Sequence, residues 1–508
     1  MQANCFRTVL CATAIAMVAM IAGFPVKTAG RGGERGVASL PNSTNRFVGT
    51  NGNDAKNDCS SQSSPCATIG HAMSQSAAGD TINVAAGTYF ENVVVSESVT
   101  IQGDELQPSK VDGGNTNPVF TINSGVTASL ISLTLANGNG DDVSGGGISN
   151  SGSLTVTNCR VIGNSAGGSG FGGGISNFGV LAVASSTIAA NSAVTGGGIY
   201  NNGMLSVTDT TIRANSAATT GAGIGNARFA TLEVTGTTIS GNSARNGGGA
   251  ISNVGTLTIT NSTISGNLTS SNAGGIDNLG AMTITNSTIS GNSLFGVFNH
   301  PGLTMNLTNT IIAGSCINNS VIIGVNDHNL IESGNCAPFI SAKPKLRPLR
   351  DNGGPTLTDA LRRGSPAIDA GDDSVLGSPL SLTTDQRGAG FARKSGLHVD
   401  IGAFEFQFDM SLKDNSNGNL LQWNSSTGQY KLIRCSDGFT LSGTGVVRMV
   451  DGIRTLKDVK PDRRVSAGFT PDQLMGHATI YLRVAHGLWQ SMHIVDTNLH
   501  AVCACPVP

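Results

Sequence analysis

Gly145-Gly146-Gly147-Ile148-Ser149-Asn150, followed by Leu154-Thr155-Val156-Thr157-Asn158 and Ile162-Gly163-Asn164-Ser165, is a phrase that this chain writes seven times, imperfectly, between residues 144 and about 315. Its first half returns at 172–177, 196–201, 221–226, 248–253, 274–278 and, worn down, at 295–299. Its second half returns with Asn191, Asn215, Asn242, Asn267 and Asn292 in the place of Asn164, a period of about 24 to 27 residues. A period of that length is the mark of a solenoid. The runs Leu205-Ser206-Val207-Thr208, Leu232-Glu233-Val234-Thr235 and Leu257-Thr258-Ile259-Thr260 alternate apolar and polar residues, as half-buried strands do. Nothing in the period is long enough or periodic enough to be a helix. About three short strands per repeat remain, which predicts an all-β chain built as a right-handed parallel β-helix with coils stacked ~4.8 Å apart. Gly and Asn serve the turns because both tolerate positive φ. The recurring Asn and Ser are expected to stack inside, their side chains hydrogen-bonding from coil to coil.

Composition agrees. Of 508 residues, 69 are Gly, 12% are charged and 5% aromatic, so a core must come from stacks of small aliphatic side chains. The net charge of −2, with no polybasic or acidic tract, excludes nucleic acid and anionic membranes as expected partners. Residues 1–29 read as a signal peptide, with Arg7 before the apolar stretch from Val9 to Phe24; an N-terminal membrane anchor is the alternative. Export makes disulfides plausible: Cys59 with Cys66, Cys316 with Cys336, and Cys435 with Cys503 or Cys505. Cys159, in a repeat position where neighbouring copies carry Ser or Thr, is expected as a buried free thiol.

The domain reading follows in chain order. Residues 30–45 are a linker and 46–110 an N-terminal cap with the first coils; 111–345 are the parallel β-helix repeats. Ile69, Ala72 and Met73 fall on one face of a short helix that would cover the open end of the first coil. Residues 346–406 are a Gly- and Pro-rich cap expected over the terminal coil, and 408–508 a small antiparallel β-sandwich or barrel. Its strands include Val465-Ser466-Ala467-Gly468-Phe469; Trp423 and Trp489 are read as core residues, with stacking platforms as the alternative, and His477, His486, His493 and His500 lack metal-ligand spacing.

Three resemblances rest on particular stretches. Phe47-Val48-Gly49-Thr50-Asn51-Gly52, Pro65-Cys66-Ala67-Thr68-Ile69 and Gly79-Asp80-Thr81-Ile82-Asn83-Val84 resemble the opening coils of secreted β-helix proteins, including polysaccharide lyases of the pectate lyase type. The central repeats are similar to those of polymorphic outer membrane proteins, departing from them in the second motif, here Ser265-Gly266-Asn267. Asp351-Asn352-Gly353-Gly354-Pro355, Gly364-Ser365-Pro366-Ala367-Ile368-Asp369-Ala370-Gly371, Thr384-Asp385-Gln386-Arg387-Gly388 and Asp400-Ile401-Gly402-Ala403-Phe404-Glu405 closely resemble the bacterial choice-of-anchor Q β-helix family. That resemblance implies export and frequent attachment at the cell surface or outer membrane, with no shared catalytic activity.

Catalysis has specific requirements on such a scaffold. A lyase needs acids that hold a cation beside an Arg or Lys base, and a hydrolase needs two carboxylates facing one cleft. In the repeats the acids are Asp209, Glu233 and Asp277, not in matching places one coil apart, and Asp141 with Asp142 precede the first glycine motif. Convergence of Asp141, Asp142, Arg160, Asp209 and Arg213 on one groove would favour a lyase or hydrolase. Asp369, Asp372, Asp373, Asp385, Arg387, Asp400 and Glu405 are read as structural, with Arg387 tied to Asp385 or Asp400. The sequence therefore predicts a non-catalytic, secreted or surface-displayed rod of roughly ten coils that binds a polysaccharide or cell-surface ligand. No catalytic residue, metal or cofactor is expected; calcium has no Asp repeat behind it.

Overall fold

The computed structural model describes residues 44–140, 145–319, 323–396 and 398–407 in full and, beyond them, the backbone of eight strands between 410 and 506. The signal peptide, almost all of the linker, Asp141, Asp142, Val465 to Phe469 and the side chains of Trp423, Trp489, Cys435, Cys503, Cys505 and the four C-terminal histidines lie outside the described residues.

Each repeat closes one coil of a parallel solenoid of about nine turns, against the roughly ten expected. In the coil that starts at Met204, the long wall is Met204–Thr208, the Thr wall is Thr211–Arg213, a two-residue patch is Ser216–Ala217, and the Asn wall is Ile224–Asn226. Stacking builds a twelve-stranded long wall and a twenty-stranded sheet containing the other two walls, which Ile311–Asn318 joins by pairing with both Thr288–Ser290 and Phe295–Asn299. The small patches form a five-stranded sheet of their own.

Registers are in phase, so like residues stack on like. Leu154, Leu181, Leu205, Leu232 and Leu257 make one buried column; Val161, Ile188, Ile212, Ile239, Ile264 and Ile289 make another. Burying each such side chain is worth about 1.5–3 kcal/mol, which lets short strands with few aromatics hold a core. At the first glycine of the phrase, φ is 72° at Gly172, 68° at Gly196 and 65° at Gly221. A Cβ at Gly172 would lie 2.2 Å from the Ile175 carbonyl oxygen, which is why this corner accepts no side chain.

The asparagine columns are interior ladders, as expected. From Asn164 onward, Asn191, Asn215, Asn242, Asn267 and Asn292 each accept, at Oδ1, the backbone N–H and side-chain amide of the Asn one coil before, while Asn164 itself accepts the Gly138 N–H; Asn191 donates both to Asn215 at 3.0 Å. A second ladder runs Asn150, Asn177, Asn201, Asn226, Asn253, Asn278, Asn299 and Asn318, amide to carbonyl at 2.6–2.8 Å. Cys159 sits in a third column with Ser186, Thr210, Thr237, Ser262 and Ser287, where each hydroxyl accepts a backbone N–H from the coil before. It is free and buried, and burial pushes its thiol up to about 12.

The first coil is covered by the helix Ile69–Ser74, which buries Ile69, Ala72 and Met73 as expected. Thr68 caps it by accepting from the His71 N–H, and Glu91 accepts from the Ile69 and Gly70 N–H groups. Disulfides join Cys59 to Cys66 and Cys316 to Cys336.

Residues 346–406 correct one expectation. They do not fold over the terminal coil alone but run as a strap along the outside of the Thr wall. Thr356 donates to the Gly236 carbonyl at 2.8 Å, Gln386 reaches Thr237, Thr238 and Thr263, and the Asn309 amide donates to the Asp372 carbonyl at 2.9 Å. Ala360, Leu361, Ala367, Ile401 and Phe404 pack on the outward Ile311 and on Leu330. The physical reason is the wall itself: earlier coils present exposed Arg160 and Arg213 there, whereas later coils present Thr and Ser (Thr238 with Ser240, Thr263 with Ser265, Thr288 with Ser290), small hydrogen-bonding groups that the strap buries wholly or, at Ser240, in part, while Thr187 and Thr211 stay half-exposed. The eight C-terminal strands hydrogen-bond antiparallel in sequence order within one sheet.

Candidate functional site

In each Ile-x-Asn strand of the Asn wall the Ile points into the core and the Asn joins the ladder, so the middle residue points outward. Strand register aligns these middle residues as Ser149, Ser176, Tyr200, Gly225, Ser252, Asp277 and Phe298. The column is uneven in a way that suits a ligand. At one end Tyr200 stacks on Phe171, centroids 4.7 Å apart and planes 27° from parallel, with Phe178 at 6.4 Å and 44% exposed. Ser176, next to Tyr200, is fully buried and its hydroxyl has no hydrogen-bond partner among the described residues. Gly225 and Ser252 then add no bulk.

At the other end Phe298 meets His300 edge-on at 4.8 Å and Phe295 at 5.7 Å. His300 Nε2 lies 2.9 Å from Asp277 Oδ1, and the Asn272 amide donates to Asp277 Oδ2 at 3.3 Å. Tyr200 and Phe298 are four coils apart, ~19 Å at ~4.8 Å per coil. The face thus presents aromatic surface at two ends of a low-bulk stretch, with a phenol at one end and an Asp–His pair at the other. Partial burial pushes the Tyr200 phenol up, so it is a neutral donor at physiological pH.

The acids and bases singled out in the sequence do not gather here. Arg160 and Arg213 are exposed on the Thr wall, two coils apart and two positions offset along the strand. Asp209 occupies the left-handed corner between long wall and Thr wall, φ 48°, where Asn158, Asn261, Asn286 and Asn309 stand in other coils; burial pushes its carboxyl up to about 6. Glu233 points outward from the long wall, and Asp277 belongs to the Asn wall. The three repeat acids therefore lie on different sides of the rod, and among the described residues no ion pair links Asp209 to Arg160 or Arg213.

Most acids of the strap are tied into it by hydrogen bonds and ion pairs. Arg387 binds Asp385 through Nε at 3.0 Å and a terminal nitrogen at 2.6 Å, between the rings of Phe391 and Phe404 at 4.0 and 3.8 Å. Fully buried Arg393 bonds Glu405 at 3.0 Å and the Gly402 carbonyl at 3.0 Å. Asp400 accepts from the N–H of Asp369 and Phe406. Burial and the neighbouring Glu405 push Asp400 well above the carboxylate range, and burial pushes Glu405 up to about 7.

Two features escaped the sequence reading. The Asp277–His300 pair joins residues 23 apart through coil stacking, and only the register of the Asn wall could have found it. Asp327, His328 and Asp372 bring ligand atoms within 4.8 Å of one another at the seam of strap and solenoid, the described group best suited to hold a cation. Cys59, Cys66 and His71 are equally close, but both sulfurs are committed to a disulfide.

No protein-family model and no curated protein matches the sequence. Among solved structures, the chain is similar to pectate lyase Pel9A, at 15% identity over 72% of this chain and 97% of that one, TM-score 0.48. It is similar to XylC in complex with xylose, at 12% identity over 72% and 99%, TM-score 0.40. It is also similar to tailspike protein 2 from Escherichia coli O157:H7 bacteriophage CAB120, at 10% identity over 82% and 70%, TM-score 0.26.

Proposed function

We propose that this β-helix is an exported, non-catalytic protein that binds polysaccharide along the outer face of its Asn wall, displayed at the cell surface or secreted. The observation that carries the reading is the pairing of aromatic clusters, Phe171 with Tyr200 and Phe295 with Phe298, about a low-bulk stretch on one face. Sugar rings offer apolar C–H faces to aromatic side chains and hydroxyls to groups such as Tyr200 and the Asp277–His300 pair. Two disulfides support an oxidising compartment. No helix among the described residues is long and apolar enough to cross a membrane.

A lyase or hydrolase is the second reading. It is favoured by Asp209, whose raised carboxyl sits at the corner that leads into the strand carrying exposed Arg213. One experiment separates the two. The protein is incubated with a polysaccharide panel, with and without calcium, while retention, unsaturated uronate absorbance and reducing ends are followed. Retention without products, weakened about tenfold by Tyr200→Ala, is the expected result. Product formation abolished by Arg213→Ala would replace binding with catalysis.

A further inference from the structure

The strap carries a second surface that the aromatic face does not use. Residues 345–362 form a hairpin: Arg347 N–H donates to the Ala360 carbonyl at 2.8 Å, Arg362 N–H to the Lys345 carbonyl at 2.8 Å, and Thr358 N–H to the Arg350 carbonyl at 3.0 Å. Leu346 and Leu361 pair across it and turn toward Ile311 and Leu330. The next residue on each strand, Arg347 and Arg362, turns outward by strand alternation and is exposed. Together with Pro348, Arg350 and Arg363 they line a cavity of about 470 Å³. No acid lines it. Arg350 is oriented by Nε donating to Asn352 Oδ1 at 2.9 Å, and Lys345 donates to the Gly364 carbonyl at 2.9 Å beside it. Among the described residues neither Arg347, Arg350 nor Arg362 has a carboxylate partner.

Three exposed arginines, Arg347, Arg350 and Arg362, around one cavity in a chain of net charge −2 are a local excess of positive charge. Those guanidiniums that are structural here look different: Arg387 and Arg393 are buried and bound to carboxylates. A planar guanidinium offers two parallel N–H donors matched to an oxyanion. We propose that this hairpin is a subsite for the carboxylate or sulfate groups of an acidic polysaccharide. The inference rests on the polysaccharide reading above and names its ligand class. The patch is confined to one cavity and has no aromatic lining residue, unlike an interface that follows a nucleic-acid backbone and stacks its bases.

The test uses the full chain and four probes: a polyuronate, a sulfated polysaccharide, a neutral polysaccharide and duplex DNA, each titrated between about 50 and 200 mM salt. The doubly substituted protein Arg347→Ala, Arg362→Ala is expected to lose about tenfold affinity for one or both acidic polymers, with a salt dependence flatter by up to about one unit per arginine, and none for the neutral polymer. Arg347→Lys with Arg362→Lys should restore only part, since charge returns without the fork. Whether polyuronate or sulfated polymer responds tells which oxyanion is taken. Unchanged acidic binding in the alanine protein overturns the subsite while leaving polysaccharide binding by the Asn wall intact. Equal loss for neutral and acidic polymers overturns it as well, as does DNA binding as tight as that of either acidic polymer. Failure of the parent protein to hold any of the three polysaccharides overturns both readings together.

Discussion

Asn215 shows what one side chain does in this fold. Its Oδ1 takes both donors of Asn191, while its own amide donates to the Ile188 carbonyl and to Asn242, all in the interior. Asn215→Ala strands both Asn191 donors and the Ile188 carbonyl on the coil before and takes one of two donors from Asn242, at about 1–3 kcal/mol per buried group left unmade. A fall of at least ~3 kcal/mol in unfolding free energy by urea denaturation is expected, with the same loss for Asn242→Ala. Asp209 makes the opposite case. Its corner takes Asn in four other coils, and its raised carboxyl is ionised, at a cost, at pH 7. A raised folded-state pKa gives stability that is complete below the unfolded value and lost as pH rises through about 6. Asp209→Asn should therefore stabilise by about 1 kcal/mol at pH 7, after discounting for its partial exposure, and by nothing near pH 4. Thermal melts at the two pH values read the difference.

At the scale of the element, the strap is tied to the Thr wall by side chains that bond several partners at once, Gln386 above all, and so is open to selective loosening. Gln386, 1% exposed, donates to Thr238 and Thr356 hydroxyls at 3.0 Å and accepts from Thr263. Gln386→Ala should speed amide exchange across residues 350–406 by about a hundredfold or more while the Asn ladders keep their protection. The same segment carries a pH dependence. Asp400 and Glu405 share a buried site with one arginine, Arg393, so the pair keeps a proton well above the carboxylate range. Both carboxyls are raised, so the stability this pair contributes to the strap is complete below about pH 4 and is lost as pH rises through about 7. Exchange rates of strap amides at pH 5 and pH 8 check this; Asp400→Asn should flatten the profile.

The whole molecule behaves as a stack in which each coil meets only its neighbours. Asn201 and Asn226 are equivalent and 25 residues apart, so removing residues 202–226 joins two coils in register, outside the strap contacts that begin near Gly236. The shortened protein is expected to fold, with a parent-like circular dichroism spectrum and a cooperative melt. Removing residues 243–267 should not be tolerated as well, because Thr263 and Asn261 hold the strap. Collapse of the first variant to an unfolded chain would contradict additive coil stability.

Local patterning determined the solenoid, because every coil repeats the same alternation of inward Leu, Val and Ile with Gly and Asn corners, and identical residues must stack when strands pair in phase. The helix over the first coil, both described disulfides, the interior place of Asn and the buried Cys159 were all legible for that reason. What no repeat encodes is which positions share a side of the rod across many coils or across the return of the chain. Tyr200 with Phe171, Asp277 with His300, the arginines of the hairpin and the lateral course of residues 346–406 depend on strand register and on where the strap lies. Thr187 and Thr263 illustrate the limit: both open a Thr-Ile strand of the same wall, yet one faces solvent and the other a strap residue, Gln386, 123 positions away.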